Sequence, residues 1–220
     1  MNTLTVPRYL EQVAKHRSAN VTFRGVGSHK KHKLIPGIGR STRIANHSDP
    51  LKEELYILKL FRQRSLPYLP SNPSSKLEWL ALGQHHGLPT RLLDWTRNPL
   101  VALYFAVAEN IKDDGAIYCL SNVAYLDADK VDSPFALKTA RRISPPFLTA
   151  RISAQSGLFT IQPNPFQEFS AGTMTRILIP GQDKKSLKKE LYQLGIQELS
   201  LFCSLDATCS HIKWLRTEAY

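Results

Sequence analysis

Residues 99–108, which read Pro-Leu-Val-Ala-Leu-Tyr-Phe-Ala-Val-Ala, contain no charged side chain. The preceding Asn98 suits an N-cap and Pro99 suits the first helical position, so the pair predicts that a helix begins there. A helix that is apolar on every side must be buried among other elements. The apolar run is also too short to cross a bilayer. The sequence therefore predicts a domain built around one central helix.

The segments on either side of this helix alternate between helical and strand patterns. Leu51, Leu55 and Leu58 recur at helical spacing, whereas residues 21–25 alternate in polarity and end at a glycine. Predicted helices cover residues 7–17, 50–64, 75–85, 184–194 and 206–214, and predicted strands cover residues 21–25, 115–120, 157–161, 176–179 and 199–202. The chain has 220 residues, a length that suits one domain. We expect an α+β fold, with helices early, a mixed or antiparallel sheet as its core, and a single domain over residues 1–220.

The chain is strongly basic, with 29 Lys+Arg against 18 Asp+Glu and a formal net charge of +11. Residues 1–50 hold nine of the cations and two of the carboxylates, a net of +7. A second basic run lies on the predicted helix 184–194, whose leucines form the apolar face, so its lysines are expected to point to water. These are Lys184, Lys185, Lys188 and Lys189. Such a surplus suits a polyanionic partner such as DNA or RNA, or a well-solvated surface.

The cysteines and the N-terminus bear on the cellular compartment. Three cysteines, Cys119, Cys203 and Cys209, are odd in number and lack the spacing of a metal site. Charged residues interrupt the first 18 positions, where a signal peptide would be apolar. We therefore expect a cytoplasmic protein with no membrane association and no metal.

Polar residues that could carry chemistry are densest in residues 84–99, between two apolar helices. The stretch looks rich in turns and holds His85, His86, Arg91, Asp94, Trp95 and Thr96. Polar groups beside a buried helix must be hydrogen-bonded internally or gathered around a cleft. The alternatives to a functional cluster are an Arg91–Asp94 ion pair and a satisfied pair of histidines.

A second feature is the tripeptide Phe23-Arg24-Gly25. An arginine at a strand end suits a phosphate or carboxylate ligand, and the following glycine permits a close backbone approach. The alternative is an ordinary surface arginine.

These two features resemble the FRG domain family, which is named for the tripeptide. The longer motif runs from Trp79 through residues 84–96 to residues 98–106. The resemblance continues through residues 115–117, 151–160 and 195–206. Departures from the family pattern are His86, where tyrosine is common, and Cys203-Ser204 with Ala207, where a Pro-Asp and a glycine are common.

A more distant resemblance to ADP-ribosyltransferases implies a mechanism and a fold of that type. In those enzymes a strand ending in a basic residue and glycine faces NAD, a Ser/Thr-containing strand precedes an apolar helix, and a glutamate binds the nicotinamide ribose. Residues 23–25 and 94–105 have the first two shapes. Gln155 is a candidate for the third position, and Glu168 and Glu198 are others.

The resemblance thus implies a set of site residues and NAD as the cosubstrate. The predicted catalytic residues are Arg24, His85, Asp94 and Gln155, and the predicted cofactor-binding residues are Arg24, Gly25, Arg91, Trp95 and Thr96. Tyr104 is a further candidate for stacking on a ring, although core packing is the alternative for it.

The leading hypothesis is an NAD-dependent ADP-ribosyltransferase that modifies a macromolecule, with DNA or RNA as acceptor. Such an activity would suit a toxin or phage-defence effector. A neutralising antitoxin protein would then be one of its partners. One alternative is an NAD-independent nuclease that uses His85, His86, Arg91 and Asp94 for acid–base catalysis and phosphate stabilisation. Another is a non-enzymatic module that binds nucleic acid or protein.

Overall fold

Helices and one antiparallel sheet account for the fold in the computed structural model, which describes residues 3–16, 20–109, 112–126, 133–144 and 150–219. The helices are α1 (Val6–Ala14), α2 (Thr42–Ala45), α3 (Pro50–Ser65), α4 (Lys76–His85), α5 (Pro99–Ala108), α6 (Ala150–Ala154), α7 (Lys184–Gln193), α8 (Glu198–Phe202) and α9 (Leu205–Thr217). The strands are β1 (Thr22–Val26), β2 (Leu92–Thr96), β3 (Gly115–Ser121), β4 (Arg141–Ile143), β5 (Gly157–Ile161) and β6 (Thr173–Ile179). The α+β fold with early helices is confirmed.

The six strands form one sheet in the order β4-β5-β2-β1-β3-β6. Each of the neighbouring pairs is antiparallel. Strand β1 pairs with β3 along five residues, from Thr22↔Leu120 to Val26↔Ala116, but with β2 only at Phe23↔Thr96. Strands β1 and β2 therefore separate beyond Phe23, in the middle of the sheet.

Helix α5 lies at the centre of the largest core cluster, as its composition predicts. Asn98 accepts a hydrogen bond from the backbone of Leu100, and Pro99 occupies the first turn. Val101, Ala102 and Leu103 have no exposed surface, and Tyr104 is 4% exposed. A Cβ on Gly25 would lie 1.8 Å from the Ala102 carbonyl oxygen. Only glycine at this position lets β1 pack so closely against α5.

Two smaller clusters complete the core. One packs α3 and α4 against the β4-β5-β2 side of the sheet, with Leu58 and Trp79 among its buried residues. The other includes Leu34, Trp95 and Phe169. All three clusters include strand residues, so the sheet is packed by side chains along its width.

Two predictions about the C-terminal third are wrong. Residues 199–202 are not a strand, because Gln197 and Ser200 form a reciprocal capping box that begins the short helix α8. Lys184 does not point to water: it is fully buried, and its Nζ donates to the carbonyls of Gly27 at 2.5 Å and Glu109 at 3.3 Å. The first turn of α7 packs against the loops at the ends of β1 and α5, which the leucine spacing does not reveal.

The remaining boundaries agree closely with the patterns. Helix α1 ends at Ala14, and Arg17 of the predicted helix 7–17 lies outside the described residues. Periodicity predicts neither β2 nor β4. Strand β2 lies within residues 84–99, whose composition is typical of turns.

Candidate functional site

A cavity of about 230 Å³ opens where β1 and β2 separate. Its walls come from β1, β2, α4, α5 and α6, so residues distant in sequence meet there. The lining residues are Phe23, Arg24, Gly25, Gln84, Asp94, Trp95, Thr96, Phe105, Arg151 and Gln155. Three of the four predicted catalytic residues, Arg24, Asp94 and Gln155, therefore line one cavity.

The Arg24 guanidinium lines this cavity and is only partly hydrogen-bonded. Its Nη1 donates to the Asp94 backbone oxygen at 2.7 Å and lies 3.7 Å from the Asp94 carboxylate. Its Nε is buried and has no hydrogen-bond partner. Burial lowers the pKa of Arg24, the Asp94 carboxylate opposes that effect, and the positive charge of Arg40 adds to it. A partly desolvated guanidinium at the wall of a cavity is suited to binding an anion.

Asp94 is held by an ordered chain of side chains rather than by Arg24 alone. Thr90 Oγ1 donates to Gln84 Oε1 at 2.6 Å, which fixes the amide so that Gln84 Nε2 donates to the Asp94 carboxylate at 2.9 Å. The Asp94 side chain nevertheless remains 56% exposed. The carboxylate is thus oriented and still accessible from the cavity.

Gln84 is a site residue that sequence reasoning did not assign a role. The motif places Gln84 near the end of α4. The spacing of the motif does not reveal that the chain folds back after α4, so that β2 brings Asp94 within hydrogen-bond distance of Gln84.

Gln155 and Thr96 join the two sides of the cavity. Thr96 Oγ1 donates to the Gln155 backbone oxygen at 2.7 Å and accepts from the Asn98 backbone at 3.0 Å. Gln155 Nε2 donates to the Leu201 carbonyl at 3.2 Å, which ties α6 to α8. Thr96 is 4% exposed, so its hydroxyl mainly supports the geometry of the site.

Arg151 is a second cation at the cavity that the sequence reasoning missed. Its guanidinium lies 4.4 Å from the centroid of the Phe202 ring, and its Nη1 donates to the His85 carbonyl at 3.4 Å. Burial lowers the pKa of Arg151, whereas the charge of Asp94 raises it. Arg24 and Arg151 therefore place two guanidinium groups at the wall of one small cavity.

Trp95 lines the cavity but is packed as a core residue. It is 3% exposed, and its indole N–H donates to Thr160 Oγ1 at 2.9 Å. The ring lies 6.1 Å from that of Phe169. Stacking of Trp95 on a ligand would require this packing to change, and the partly exposed Phe105 is the better placed aromatic wall.

His85 lies next to the cavity in a smaller pocket of about 60 Å³, which shares Gln84, Asp94, Arg151 and Gln155 with it. Burial lowers the pKa of His85 to about 4, with contributions from the charges of Arg151 and His86. The imidazole is therefore neutral at pH 7. His86 is exposed, and its ring meets that of His85 edge-on at 4.7 Å.

Arg91 does not pair with Asp94, so the predicted Arg91–Asp94 ion pair is wrong. Its Nε and Nη2 donate to the two carboxylate oxygens of Glu54 at 2.8 and 2.6 Å, and both side chains are 3% exposed. Its Nη1 donates to the Pro134 carbonyl, and the Phe135 ring covers it. Asp94 lies within the extended strand β2 and faces the cavity, whereas Arg91 lies just before the strand and is buried beside Glu54. Arg91 lies outside the set of residues that lines the cavity.

A basic groove of about 360 Å³ adjoins the cavity and shares Arg24, Gly25 and Phe105 with it. Its other cationic or titratable residues are His32, Lys33, Arg40, Tyr104, Lys188, Glu109 and Glu198. Arg24, Lys33 and Arg40 all come from the first 50 residues, so part of the N-terminal charge surplus lies beside the cavity. Of the carboxylates proposed for the ribose, Glu198 lines this groove. Glu168 is exposed elsewhere and accepts from the Leu34 backbone.

Neither a metal-type cluster of side chains nor a membrane-spanning helix occurs among the described residues. No group of three or more His, Cys, Asp and Glu among them could hold a metal ion. No helix within the described ranges is long and apolar enough to cross a bilayer.

The comparison with known families confirms the resemblance seen in the motifs. Residues 19–115 match the family model of the FRG domain, which includes both Phe23-Arg24-Gly25 and the run of residues 79–106. No curated protein and no solved structure matches the chain.

Proposed function

We propose that this chain, which carries an FRG domain over residues 19–115, is an NAD-dependent ADP-ribosyltransferase that modifies nucleic acid. The observation that carries the proposal is the convergence of Arg24, Asp94 and Gln155 on one cavity that continues into a basic groove. Two of these residues come from the matched stretch and Gln155 from beyond it, so we also propose that the functional unit extends past residue 115, over the single domain of residues 1–220.

The size and charge of the two spaces suit a dinucleotide. Their volumes, about 230 and 360 Å³, together fall in the range of roughly 300–1,000 Å³ that small-molecule sites occupy. Arg24 stands where they join, with its unpartnered Nε, and Arg40 and Lys33 follow along the groove. We place the nicotinamide ribose in the cavity, the diphosphate at Arg24, and the rest of the molecule along the groove.

The proposed reaction breaks the bond between C1′ of the ribose and the nicotinamide nitrogen. Nicotinamide leaves with the electron pair of that bond, a nucleophilic nitrogen or oxygen of the acceptor bonds to C1′, and the acceptor releases a proton to solvent. Asp94, oriented by Gln84, would stabilise the positive charge that develops on the ribose. The Gln155 amide would orient the ribose hydroxyls, and Glu198 is the carboxylate placed to assist from the groove.

Gly25 has a different role in this proposal from the one its motif implies. The space of its missing Cβ is taken by the Ala102 carbonyl, so the glycine brings β1 onto α5. Its backbone still lines both the cavity and the groove, where it can approach a ligand.

The nuclease alternative needs four residues that do not all line one pocket. His86 is exposed and Arg91 is buried against Glu54, whereas His85 and Asp94 share the small pocket beside the cavity. A nuclease remains an outcome of the experiment below, as does a protein that binds nucleic acid without turnover. A role as a toxin or phage-defence effector with a neutralising partner belongs to the same proposal.

The experiment incubates purified protein with NAD labelled in the adenylate phosphate, together with single-stranded DNA, duplex DNA or RNA. Label transferred to a nucleic acid, and lost when Arg24 is replaced by Met, would support the proposal. No transfer and no release of nicotinamide in any arm would reject it. Cleavage of nucleic acid in buffer without NAD would favour the nuclease, and salt-sensitive binding without either reaction would favour the binding module.

A further inference from the structure

Helix α3 leaves several of its apolar side chains exposed. Of its 16 residues, only Glu54 and Leu58 are buried. Leu51, Leu55 and Tyr56 are each more than 40% exposed, and so is Leu66 in the turn that follows. A surface helix normally directs its apolar face into the core. A helix that keeps these side chains in water is a candidate for contact with a partner.

Two of these side chains, Leu55 and Leu66, line a groove of about 370 Å³ between α3 and α4. The lining residues are Leu55, Leu58, Lys59, Arg62, Gln63, Leu66, Asn72, Pro73, Lys76 and Trp79. Six of them, from Leu55 to Leu66, follow a three- and four-residue spacing along α3 and into the turn after it, which is one face of a helix. At 1.5 Å per residue the groove follows α3 for about 16 Å, or roughly three helical turns.

The groove has an apolar floor and a cationic rim. Leu58 and Trp79 are buried beneath it. Lys59, Arg62 and Lys76 are its charged lining residues, and no carboxylate is among the ten residues named above. The Arg62 guanidinium lies 5.4 Å from the centroid of the Trp79 ring, a contact that holds one rim cation over the floor.

We propose that this groove binds an amphipathic helix of a partner protein, with apolar residues on one face and Asp or Glu along its flanks. Apolar side chains of such a helix would cover Leu55 and Leu66, and its carboxylates would meet the three rim cations. A groove of three turns matches the length over which a short helix presents anchors at positions i, i+4, i+7 and i+11.

Two other anionic partners fit this groove less well. Nucleic acid gains affinity from stacking on exposed aromatic rings, but Trp79 is only 4% exposed. A bilayer surface is flat on this scale and would not fill a concave space. The occupant that uses both the floor and the rim is an acidic helix.

The groove shares no lining residue with the Arg24 cavity or with the basic groove beside it. Binding there would therefore leave the cavity open, and the two proposals can fail separately.

The test measures fluorescence anisotropy with a labelled 18-residue helical peptide that carries Leu along one face and Glu at the flanking positions. A matched peptide has Lys in place of every Glu. We expect saturable binding of the Glu peptide only, weakened by added salt. Leu55→Asp and Arg62→Glu should each weaken it by about tenfold or more. Arg64→Glu, an exposed charge reversal on the same helix outside the groove, should change it by less than about twofold.

Thermal melts of the three variants ensure that lost binding is not lost folding. Arg24→Met should bind the peptide as the wild type does, even if it transfers no ADP-ribose. Equal binding of the Lys peptide, or no binding up to about 1 mM, would overturn the proposal. It would also be overturned if Arg62→Glu abolished binding to duplex DNA or to anionic vesicles instead, or dissociated a dimer seen by sedimentation.

Discussion

Arg24 and Arg91 each lie beside a carboxylate, but the two side chains differ in their hydrogen bonds and in the burial of that carboxylate. Arg91 donates to both oxygens of Glu54 and to a backbone carbonyl, with both partners almost fully buried. Arg24 makes one short hydrogen bond to a backbone oxygen, stands 3.7 Å from a carboxylate that is 56% exposed, and keeps a buried Nε without a partner. All three nitrogens of Arg91 donate hydrogen bonds within the core, so this guanidinium stabilises the fold. Arg24 lines the cavity beside an accessible carboxylate, so its guanidinium can receive a ligand there.

The largest effect should come from breaking the Arg91–Glu54 pair. Arg91→Met leaves the Glu54 carboxylate buried without its partner, and we expect the free energy of unfolding to fall by about 3–5 kcal/mol. Urea denaturation followed by circular dichroism measures it. The matched variant Arg24→Met should lose no more than about 1 kcal/mol, since the Asp94 side chain is half exposed. Similar losses for both variants would remove the distinction drawn between the two arginines.

Arg24→Met should lower the rate of ADP-ribosyl transfer by about 100-fold or more, because the proposed site loses its donor to the diphosphate. Arg24→Lys should recover part of the rate, since it keeps the charge but not the forked donor geometry. Arg97→Met is the control, because Arg97 is exposed and lies outside the cavity lining. Transfer rates measured with labelled NAD decide the question, and an unchanged rate in Arg24→Met would contradict the assignment.

Gly25→Ala should destabilise the protein by about 1–3 kcal/mol, because the new methyl group would overlap the Ala102 carbonyl and both atoms belong to packed backbone. The strand that carries Arg24 would shift with it, so transfer should fall as well. Gly37→Ala serves as the control, since its nearest neighbour would lie at 3.4 Å and its backbone is helical. Chemical denaturation that finds the two variants equally stable would contradict the close packing of β1 on α5.

The smallest effect concerns acid stability at His85. Its pKa in the folded protein is about 4, below the ordinary value of about 6.5 that applies when the chain is unfolded. The unfolded state therefore binds the proton first, and stability that is fully present above pH 6.5 declines as the pH falls toward 4. Relative to His85→Gln, the wild type should lose free energy of unfolding over that interval.

Arg151→Met sharpens this measurement, because the charge of Arg151 is one cause of the lowered pKa. In that variant the pKa of His85, followed by NMR of the imidazole protons, should rise. A wild-type His85 that titrates near pH 6.5 would contradict the half-buried position beside Arg151.

Local sequence patterns predicted a helix or strand well where capping and apolar composition pointed to the same structure. Asn98, Pro99 and an apolar run suffice for α5, and the FRG motifs led to Arg24 and to the Asp94 segment. The same patterns did not predict α8, whose capping box competes with a strand-like composition. They also missed the burial of Lys184, because two carbonyls from distant loops receive its ammonium group.

Motifs in the sequence could name Arg24 and Asp94, and the resemblance to ADP-ribosyltransferases could name Gln155, but neither gave the contacts between them. Gln84 and Arg151 became site residues only because α4 and α6 flank the gap between β1 and β2. Arg91 does not line the cavity, because Glu54, 37 positions earlier, binds its side chain from α3. Pairings of this kind depend on which helix faces which strand.

The sequence by itself determined the central helix, the α+β class, the FRG motifs and the concentration of positive charge in the first 50 residues. These follow from side-chain chemistry and local backbone preference. Only the tertiary structure decided which arginine keeps an unmet donor, which carboxylate stays accessible and which helix leaves its leucines in water. Those outcomes depend on long-range packing, because burial and hydrogen-bond partners are set by residues far apart in the chain.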